Sequence, residues 1–113
     1  MAQYRISNAA RADIVDVLRH SNTQFGEQAR QRYQKLILTA LQFIAATPHH
    51  VVSHARDEIT PGLRSYHLIH SRQNAKYVQA AVKEPRHIVC YRVADNEVIE
   101  IVRLLQMFLY SCT

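Results

Sequence analysis

The chain of 113 residues has few of the residues that build several common kinds of site. Its two glycines, Gly26 and Gly62, exclude the glycine-rich loop that cradles phosphates in nucleotide-binding proteins. Its two cysteines, Cys90 and Cys112, are too few for a disulfide scaffold. The longest apolar run is far shorter than the ~20 residues that cross a bilayer. The N-terminus lacks the continuous apolar stretch of a signal peptide, so a reducing cytoplasm is the expected location.

The composition that remains is apolar and basic. Hydrophobic residues make up 48% of the chain, which argues against disorder. The length suits one domain with a modest single core. A formal net charge of +5 and a pI near 9.6 favour an anionic partner, either nucleic acid or an acidic protein. The same charge also suits a basic surface whose only role is solubility.

The chain is organised around a C-terminal hairpin with the sequence IVCYRVADNEVIEIVRLL. Two apolar, β-branched runs flank residues 95–96, Asp and Asn, which tolerate the positive φ of a tight turn. A two-residue turn there places Val93 opposite Val98 and Tyr91 opposite Glu100. It also places three other apolar residues on the same face of the sheet as Tyr91: Val89, Val102 and Leu104. Both faces of this hairpin are largely apolar, so we expect both to be at least partly covered.

Two amphipathic helices are predicted in the first half of the chain. The first begins after Ser7, a residue suited to an N-cap, and we expect it to break at residues 21–23. The second runs from about Glu27 to Ala46, because the residue before Pro48 is pushed out of the helical region. The short link between them predicts an antiparallel helical hairpin. Apolar residues at helical spacing mark the buried sides: Ala10, Ile14, Val17 and Leu18, then Ala29, Tyr33, Leu36, Ile37, Ala40, Leu41 and Ile44.

Strands are predicted around this helical hairpin. Residues 3–6 form a short strand, and residues 63–70 form another after the Pro61-Gly62 turn. Residues 71–83 show no clear periodicity, apart from a weak helical patch at 75–82.

The order strand–helix–helix–strand–strand–strand predicts an α+β fold. We expect a single domain over residues 1–113, in which the helical hairpin, residues 8–46, packs on one face of a small antiparallel β-sheet. Residues 106–113 form an atypical C-terminal tail.

Seven histidines raise the question of a metal site. His49, His50 and His54 share one loop, and His67 and His70 are three residues apart. Three residues along a strand put two rings on opposite faces. No thiolate or carboxylate lies at a familiar zinc-ligand spacing, so we expect no functional metal.

Nucleophilic catalysis is also not indicated. Cys90 and His87 are three residues apart on a predicted strand and therefore point to opposite faces. Cys90 in the middle of a strand is typical of a small, inert core residue.

Three arginines on predicted strands, Arg64, Arg92 and Arg103, allow two interpretations. Each pairs with a carboxylate or extends to the rim of the sheet, or together they form a basic patch that grips phosphate or acidic side chains. A ribonuclease would use such arginines to stabilise a phosphorane, with His67 or His87 moving protons. The sequence singles out no general base.

Four segments, in order, resemble the ParE branch of the RelE/ParE toxin family of bacterial type II toxin–antitoxin pairs. YRISNAARADIVDVL resembles the strand-to-helix start, and FGEQARQRY resembles the start of the second helix. RDEITPGLRSYHLIH resembles the loop-to-strand segment with its PGLRSY core. PRHIVCYRVADNEVIEIVRLL resembles the closing hairpin. The resemblance spans about residues 4–105.

The resemblance implies a strand–helix–helix–sheet toxin of the plasmid-stabilisation type, which inhibits DNA gyrase and does not itself hydrolyse a substrate. It implies a cognate, ParD-like antitoxin protein as partner in the cytoplasm. The RelE branch instead cleaves mRNA on the ribosome, and a RelE-like endonuclease is the alternative. We expect no cofactor, no membrane association and no sequence-specific DNA binding by the chain alone.

The C-terminal end departs from the family's pattern. The family commonly continues with His and a polar, basic tail, whereas this chain has Gln106 followed by MFLYSCT. We expect the tail to bury Phe108 or Leu109, and a toxicity-impaired, antitoxin-binding remnant is a second alternative. The candidate contacts to a target or an antitoxin are Arg64, Tyr66, Arg92, Arg103 and Phe108.

Overall fold

A computed structural model describes residues 3–74, 85–94 and 97–106. These residues form two α-helices, five β-strands and one 3-10 helix. The elements are β1 (Tyr4–Ile6), α1 (Asn8–Phe25), α2 (Glu27–Ala46), β2 (His54–Ala55), β3 (Arg64–His67), the 3-10 helix (Leu68–Asn74), β4 (His87–Val93) and β5 (Ile99–Gln106).

The strands form one sheet in the order β1-β5-β4-β3-β2, and the two helices pack on one face of it. This confirms the predicted α+β class. The sheet is mixed, however, because β1 runs parallel to β5 while the other neighbours are antiparallel. A parallel neighbour needs a long crossover connection, and here nearly the whole chain lies between the two strands.

Helix α1 begins as predicted and ends later than predicted. The Ser7 side chain accepts a hydrogen bond from the Ala10 N–H at 3.0 Å, as an N-cap does. The helix then continues through residues 21–23 to Phe25, so the predicted break is wrong. Polar residues there lower helix propensity by only a few tenths of a kcal/mol each. Gly26, at a φ of +92°, is the residue that ends the helix.

Helix α2 has the predicted bounds and buries the predicted side. Five residues of its apolar stripe have exposed fractions of 4% or less: Leu36, Ile37, Ala40, Leu41 and Ile44. At the end of the helix, the Tyr91 hydroxyl donates a hydrogen bond to the Pro48 carbonyl, which ties β4 to the loop after α2.

The core divides into two clusters on opposite faces of the sheet. The larger lies under the helices and contains, from the sheet, Tyr66, Val89, Tyr91, Ile99, Ile101 and Leu104. The smaller contains Leu63, Ile88 and Cys90, with Val102 and Leu105 packed against it. Both faces of the β4–β5 hairpin therefore bury apolar side chains, as the sequence predicts.

The register of that hairpin differs from the prediction by one residue. Val93 is opposite Ile99, and Arg92 is opposite Glu100. Tyr91 and Glu100 therefore lie on opposite faces, because a shift of one residue exchanges the faces of a strand.

A longer loop accounts for the shift. The Ala94 N–H bonds to the Val98 carbonyl at 2.7 Å, which encloses three residues and not two. Glu97 has a φ of 62°, the left-handed conformation that closes three-residue hairpin loops. The predicted turn residues, 95–96, lie outside the described part.

A β-bulge restores part of the predicted pattern farther along the hairpin. The register shifts between Cys90 and Tyr91, so Val102 is an extra residue in β5. Beyond the bulge, Val89 is opposite Leu104, and both lie under the helices with Tyr91, as predicted. The bulge moves Val102 to the smaller cluster, against the prediction.

The segment after β3 also differs from the prediction. The strand ends at His67, where the 3-10 helix begins, and not at His70. A two-residue strand, β2, pairs with β3 in the segment that the sequence left irregular. The weak helical patch at 75–82 lies outside the described residues. In the described ranges, neither α-helix is long and apolar enough to cross a membrane.

Candidate functional site

Arg64 lies under the loop that follows α2. Strand alternation places it on the helix-covered face with Tyr66. Its Nη2 donates to the Ser53 hydroxyl at 2.7 Å and to the Ser53 carbonyl at 3.3 Å, while its Nε lies 3.2 Å from the same hydroxyl. Ser53 is 6% exposed, so this guanidinium holds the loop against the sheet.

Arg92 lies on the opposite face of the sheet. Its Nε donates to Glu100 Oε1 at 2.6 Å, directly across the β4–β5 ladder. Arg5, on β1, approaches the other oxygen of Glu100 at 3.4 Å. The hydrogen bond from Arg92 and the two positive charges hold the pKa of Glu100 below its ordinary value.

Arg103 on β5 is opposite Cys90 of β4, and its guanidinium reaches α1. It forms a two-point ion pair with Asp13, with Nε–Oδ2 at 2.7 Å and Nη2–Oδ1 at 3.0 Å. The Leu104 N–H donates to the same carboxylate at 3.0 Å. Burial raises the pKa of Asp13, but the hydrogen bonds from Arg103 and Leu104 outweigh it, and the net pKa lies below the ordinary value.

The three strand arginines therefore do not form one patch. Arg92 and Arg103 pair with carboxylates, which is the first of the two interpretations above, and Arg64 pairs with a hydroxyl and a carbonyl. Arg92 and Arg103 still expose 51% and 46% of their side chains. These two are open to a macromolecular partner.

Of the two aromatic residues predicted to contact a partner, Tyr66 is buried and Phe108 is not described. Tyr66 is 1% exposed, and its hydroxyl shares a hydrogen bond of 2.7 Å with the Ser71 hydroxyl, so here it supports the core. Its ring packs against Phe43, with ring centroids 5.3 Å apart. Phe108, with the whole predicted tail, lies outside the described residues.

A partly buried pair that the sequence did not suggest joins α2 to β4. The Tyr33 hydroxyl lies 2.6 Å from His87 Nδ1, and the rings meet edge to face with centroids 5.5 Å apart. The Arg86 N–H donates to the same hydroxyl at 3.3 Å. The Tyr33 hydroxyl and His87 Nδ1 therefore share a hydrogen bond whose donor is set by the tautomer of the imidazole.

Burial fixes the protonation of this pair. It raises the pKa of Tyr33 to about 12, and it lowers the pKa of His87 to about 4, with smaller contributions from His20 and His67. Tyr33 appears in the sequence only as part of a helical stripe. Its partner is 54 residues away, so no local pattern signals the contact.

Two histidines, His67 and His70, pack against each other where β3 passes into the 3-10 helix. The rings of His67 and His70 have centroids 6.5 Å apart, because the chain leaves the strand at His67 and turns back. The expectation of opposite faces is therefore wrong. Burial lowers the pKa of both histidines. The positive charges of His54 and His50 lower the pKa of His70 further. Within residues 3–74, 85–94 and 97–106, no three His, Cys, Asp or Glu side chains are grouped to hold a metal ion.

Cys90 lies in the smaller apolar cluster, 3% exposed. Burial raises the pKa of its thiol to about 11, so the thiolate that a nucleophile requires is disfavoured.

Comparisons with known proteins identify a family and a similar fold. A family model described as "ParE toxin of type II toxin-antitoxin system, parDE" matches residues 4–107. Among solved structures, the "Chromosomal ParDE TA system from P. aeruginosa" contains a similar chain, with a TM-score of 0.66 and 14% sequence identity. The similarity covers 94% of this chain and 96% of that one, and at this identity it shows the fold alone. None of the curated proteins matches.

Proposed function

Because the chain belongs to the ParE toxin family of type II toxin–antitoxin systems, we propose that it inhibits DNA gyrase and that a cognate, ParD-like antitoxin neutralises it. One observation carries the proposal: the family match runs from residue 4 to residue 107 and so includes every helix and strand that the structure describes. The toxin acts in the cytoplasm, where gyrase and the antitoxin are found.

The state of the strand arginines supports inhibition by binding over RNA cleavage. A nuclease needs cations aimed at the phosphorane. Here Arg92 and Arg103 are each held by a carboxylate, and Arg64 is held by Ser53. His87 has a pKa of about 4 and is hydrogen-bonded to Tyr33, so it is poorly suited to donate a proton at neutral pH.

The partly exposed arginines are the proposed contacts to the protein partners. Arg92 and Arg103 present charge from a rigid sheet, and acidic side chains of gyrase or of the antitoxin would bind there in competition with Glu100 and Asp13. Arg64 and Tyr66 contribute indirectly, because they hold the loop and the core beneath.

The target is tested by producing the chain without an antitoxin and measuring supercoiling by purified gyrase beside translation in a cell-free system. We expect loss of supercoiling with translation intact. Ribosome-dependent mRNA cleavage that Arg64→Ala or Arg92→Ala abolishes would instead establish the RelE-like alternative. Antitoxin binding with no effect on either assay would identify a toxicity-impaired remnant.

The contact surface is tested with two variants that share one partner. Arg92→Ala and Arg5→Ala each remove one positive charge beside Glu100. We expect Arg92→Ala to weaken gyrase inhibition or antitoxin affinity about tenfold or more, as for a central contact, which corresponds to ~1.4 kcal/mol. Arg5→Ala, on the edge strand, should change either by less than threefold. Equal effects of the two variants would count against a specific contact at Arg92.

A further inference from the structure

The outward sides of α1 and α2 carry four basic side chains that we call the basic helical face. Its members are Arg11, Arg19, Arg32 and Lys35. Arg11, Arg19 and Lys35 are exposed, and Arg32 is partly exposed.

These four side chains differ from the other cations on α2 and the sheet in having no partner. In the described part of the chain, none of them forms an ion pair or a side-chain hydrogen bond. In contrast, Arg30 pairs with Glu27, and Arg92 and Arg103 pair with Glu100 and Asp13. The unneutralised charge that the structure describes is therefore concentrated on the helical hairpin.

The helical geometry aligns this charge. Arg11 and Arg19 are eight residues apart, so they lie within about 80° of each other around α1 and about 12 Å apart along its axis. That separation is close to the ~12 Å width of the major groove of duplex DNA. Lys35 faces outward from α2, which packs beside α1 as its antiparallel neighbour. Asp16 is an exposed acidic residue on α1, but the four basic side chains outnumber it, so the face keeps a net positive charge.

The character of the face favours a phosphate polymer over an acidic protein. Two apolar residues, Val15 and Leu38, are exposed beside it, at 46% and 42%. Two half-exposed side chains are ordinary for a protein surface and do not make an apolar docking patch. Long, unpaired cations on exposed helix surfaces suit phosphates, which they contact through charge and without reading bases.

We propose that the basic helical face binds the phosphate backbone of duplex DNA without sequence preference. This goes beyond inhibition of gyrase and antitoxin binding, because it requires neither protein. The strand arginines contribute less, since their carboxylate partners already neutralise them.

The test is fluorescence anisotropy of a labelled 20-base-pair duplex of arbitrary sequence, titrated with the purified chain between 50 and 200 mM salt. We expect a Kd below about 100 µM at 50 mM salt. The slope of log K against log salt should lie between about −2 and −4, for two to four phosphate contacts. A second duplex of unrelated sequence should bind within about threefold.

Two double variants with the same change in net charge separate the face from general charge. Arg19→Gln/Lys35→Gln should reduce the steepness of the salt slope by about 2 and weaken binding at least tenfold at 50 mM salt. Arg5→Gln/Arg92→Gln, whose arginines both pair with Glu100, should change binding by less than threefold. Melting curves of both variants are the check that each is folded.

Three results would overturn the proposal. One is no binding at 50 mM salt, and another is equal weakening by both double variants, which would mean that net charge alone matters. The third is tight binding to poly-glutamate with none to DNA, which would assign the face to an acidic protein.

Discussion

Asp13 accepts hydrogen bonds from the guanidinium of Arg103 and, at the same time, from the backbone N–H of Leu104. The two ends of this contact are 90 residues apart in the chain. Strand β1 pairs with β5 only at residues 99–101, so the Asp13 side chain takes over where that pairing stops. A side chain of α1 thus satisfies the edge of the last strand.

Replacing Asp13 is expected to loosen this edge. Asp13→Ala leaves the Leu104 N–H without its acceptor, and we expect a loss of ~1–3 kcal/mol in the free energy of unfolding, measured by urea denaturation. The Arg103 side chain is 46% exposed, so solvent screens its ion pair with Asp13 and that pair contributes little to the loss. Asp13→Asn retains an acceptor and should lose less. If the alanine variant unfolds at the same urea concentration as the parent, the contact is not stabilising.

The same ion pair predicts a dependence on pH. The pKa of Asp13 is lower in the folded protein than its ordinary value of about 3.9. Its contribution is therefore fully present above about pH 4 and is lost as the pH falls below it. The difference in stability between the parent and Asp13→Asn should shrink below pH 4. A difference that stays constant from pH 7 to pH 2 would contradict the assignment.

Leu41 tests the packing of α2 on the sheet. It is 4% exposed, and Leu41→Ala should destabilise the protein by ~2–5 kcal/mol, because the cavity adds to the lost transfer free energy. Leu38, on the same helix and 42% exposed, is the matched control. Leu38→Ala should cost less than ~1 kcal/mol. Equal losses in chemical denaturation would mean that Leu41 is not core.

The Tyr33–His87 pair predicts a second pH window. The pKa of His87 falls to about 4 on folding, from an ordinary value near 6.5, so the unfolded chain binds more protons between these values. Stability from this group is present above about pH 6.5 and is lost as the pH falls towards 4. Measured from pH 7 to pH 4, the parent should lose stability more steeply than His87→Gln. Parallel curves would show that His87 is not buried as a neutral imidazole.

The tail remains a prediction from the sequence. Deletion of residues 107–113 should lower the melting temperature and solubility if Phe108 or Leu109 is packed, as we expect from an apolar run after a paired strand. Phe108→Ala alone should reproduce part of the effect. Unchanged melting together with unchanged growth arrest would show that the tail is neither structural nor functional.

The sequence predicts the helices well because their signals are local. The apolar spacing of α2, its end before Pro48 and the Ser7 cap of α1 all involve residues within one or two turns. The shared face of Val89 and Tyr91 on β4 is predicted for the same reason, because side chains alternate along a strand. Residues 21–23 are the local exception, since their weak preference for turns yields to the packing of the whole helix.

The register and the site pairs are not predictable in this way. One extra residue in the loop, closed by Glu97, moves Tyr91 and Glu100 to different faces, and the bulge at Val102 moves the pattern again. Tyr33 with His87, and Asp13 with Arg103, are pairs between distant segments. These pairs form only when the helices pack on the sheet. The spacing of residues along the chain therefore cannot predict them.

The parallel pairing of β1 with β5 makes the order of synthesis matter. The Ser7 hydroxyl donates a hydrogen bond to the Val102 carbonyl, 95 residues later in the chain. Strand β1 therefore cannot pair until β5 has been synthesised. At about 5–20 residues per second, both helices emerge seconds before β4 and β5 exist to cover their apolar stripes. Long-range pairings of this kind also form slowly. A chain that terminates before β5 lacks the strand that joins β1 to β4, so we expect premature termination to yield an unfolded chain and not a partly active toxin.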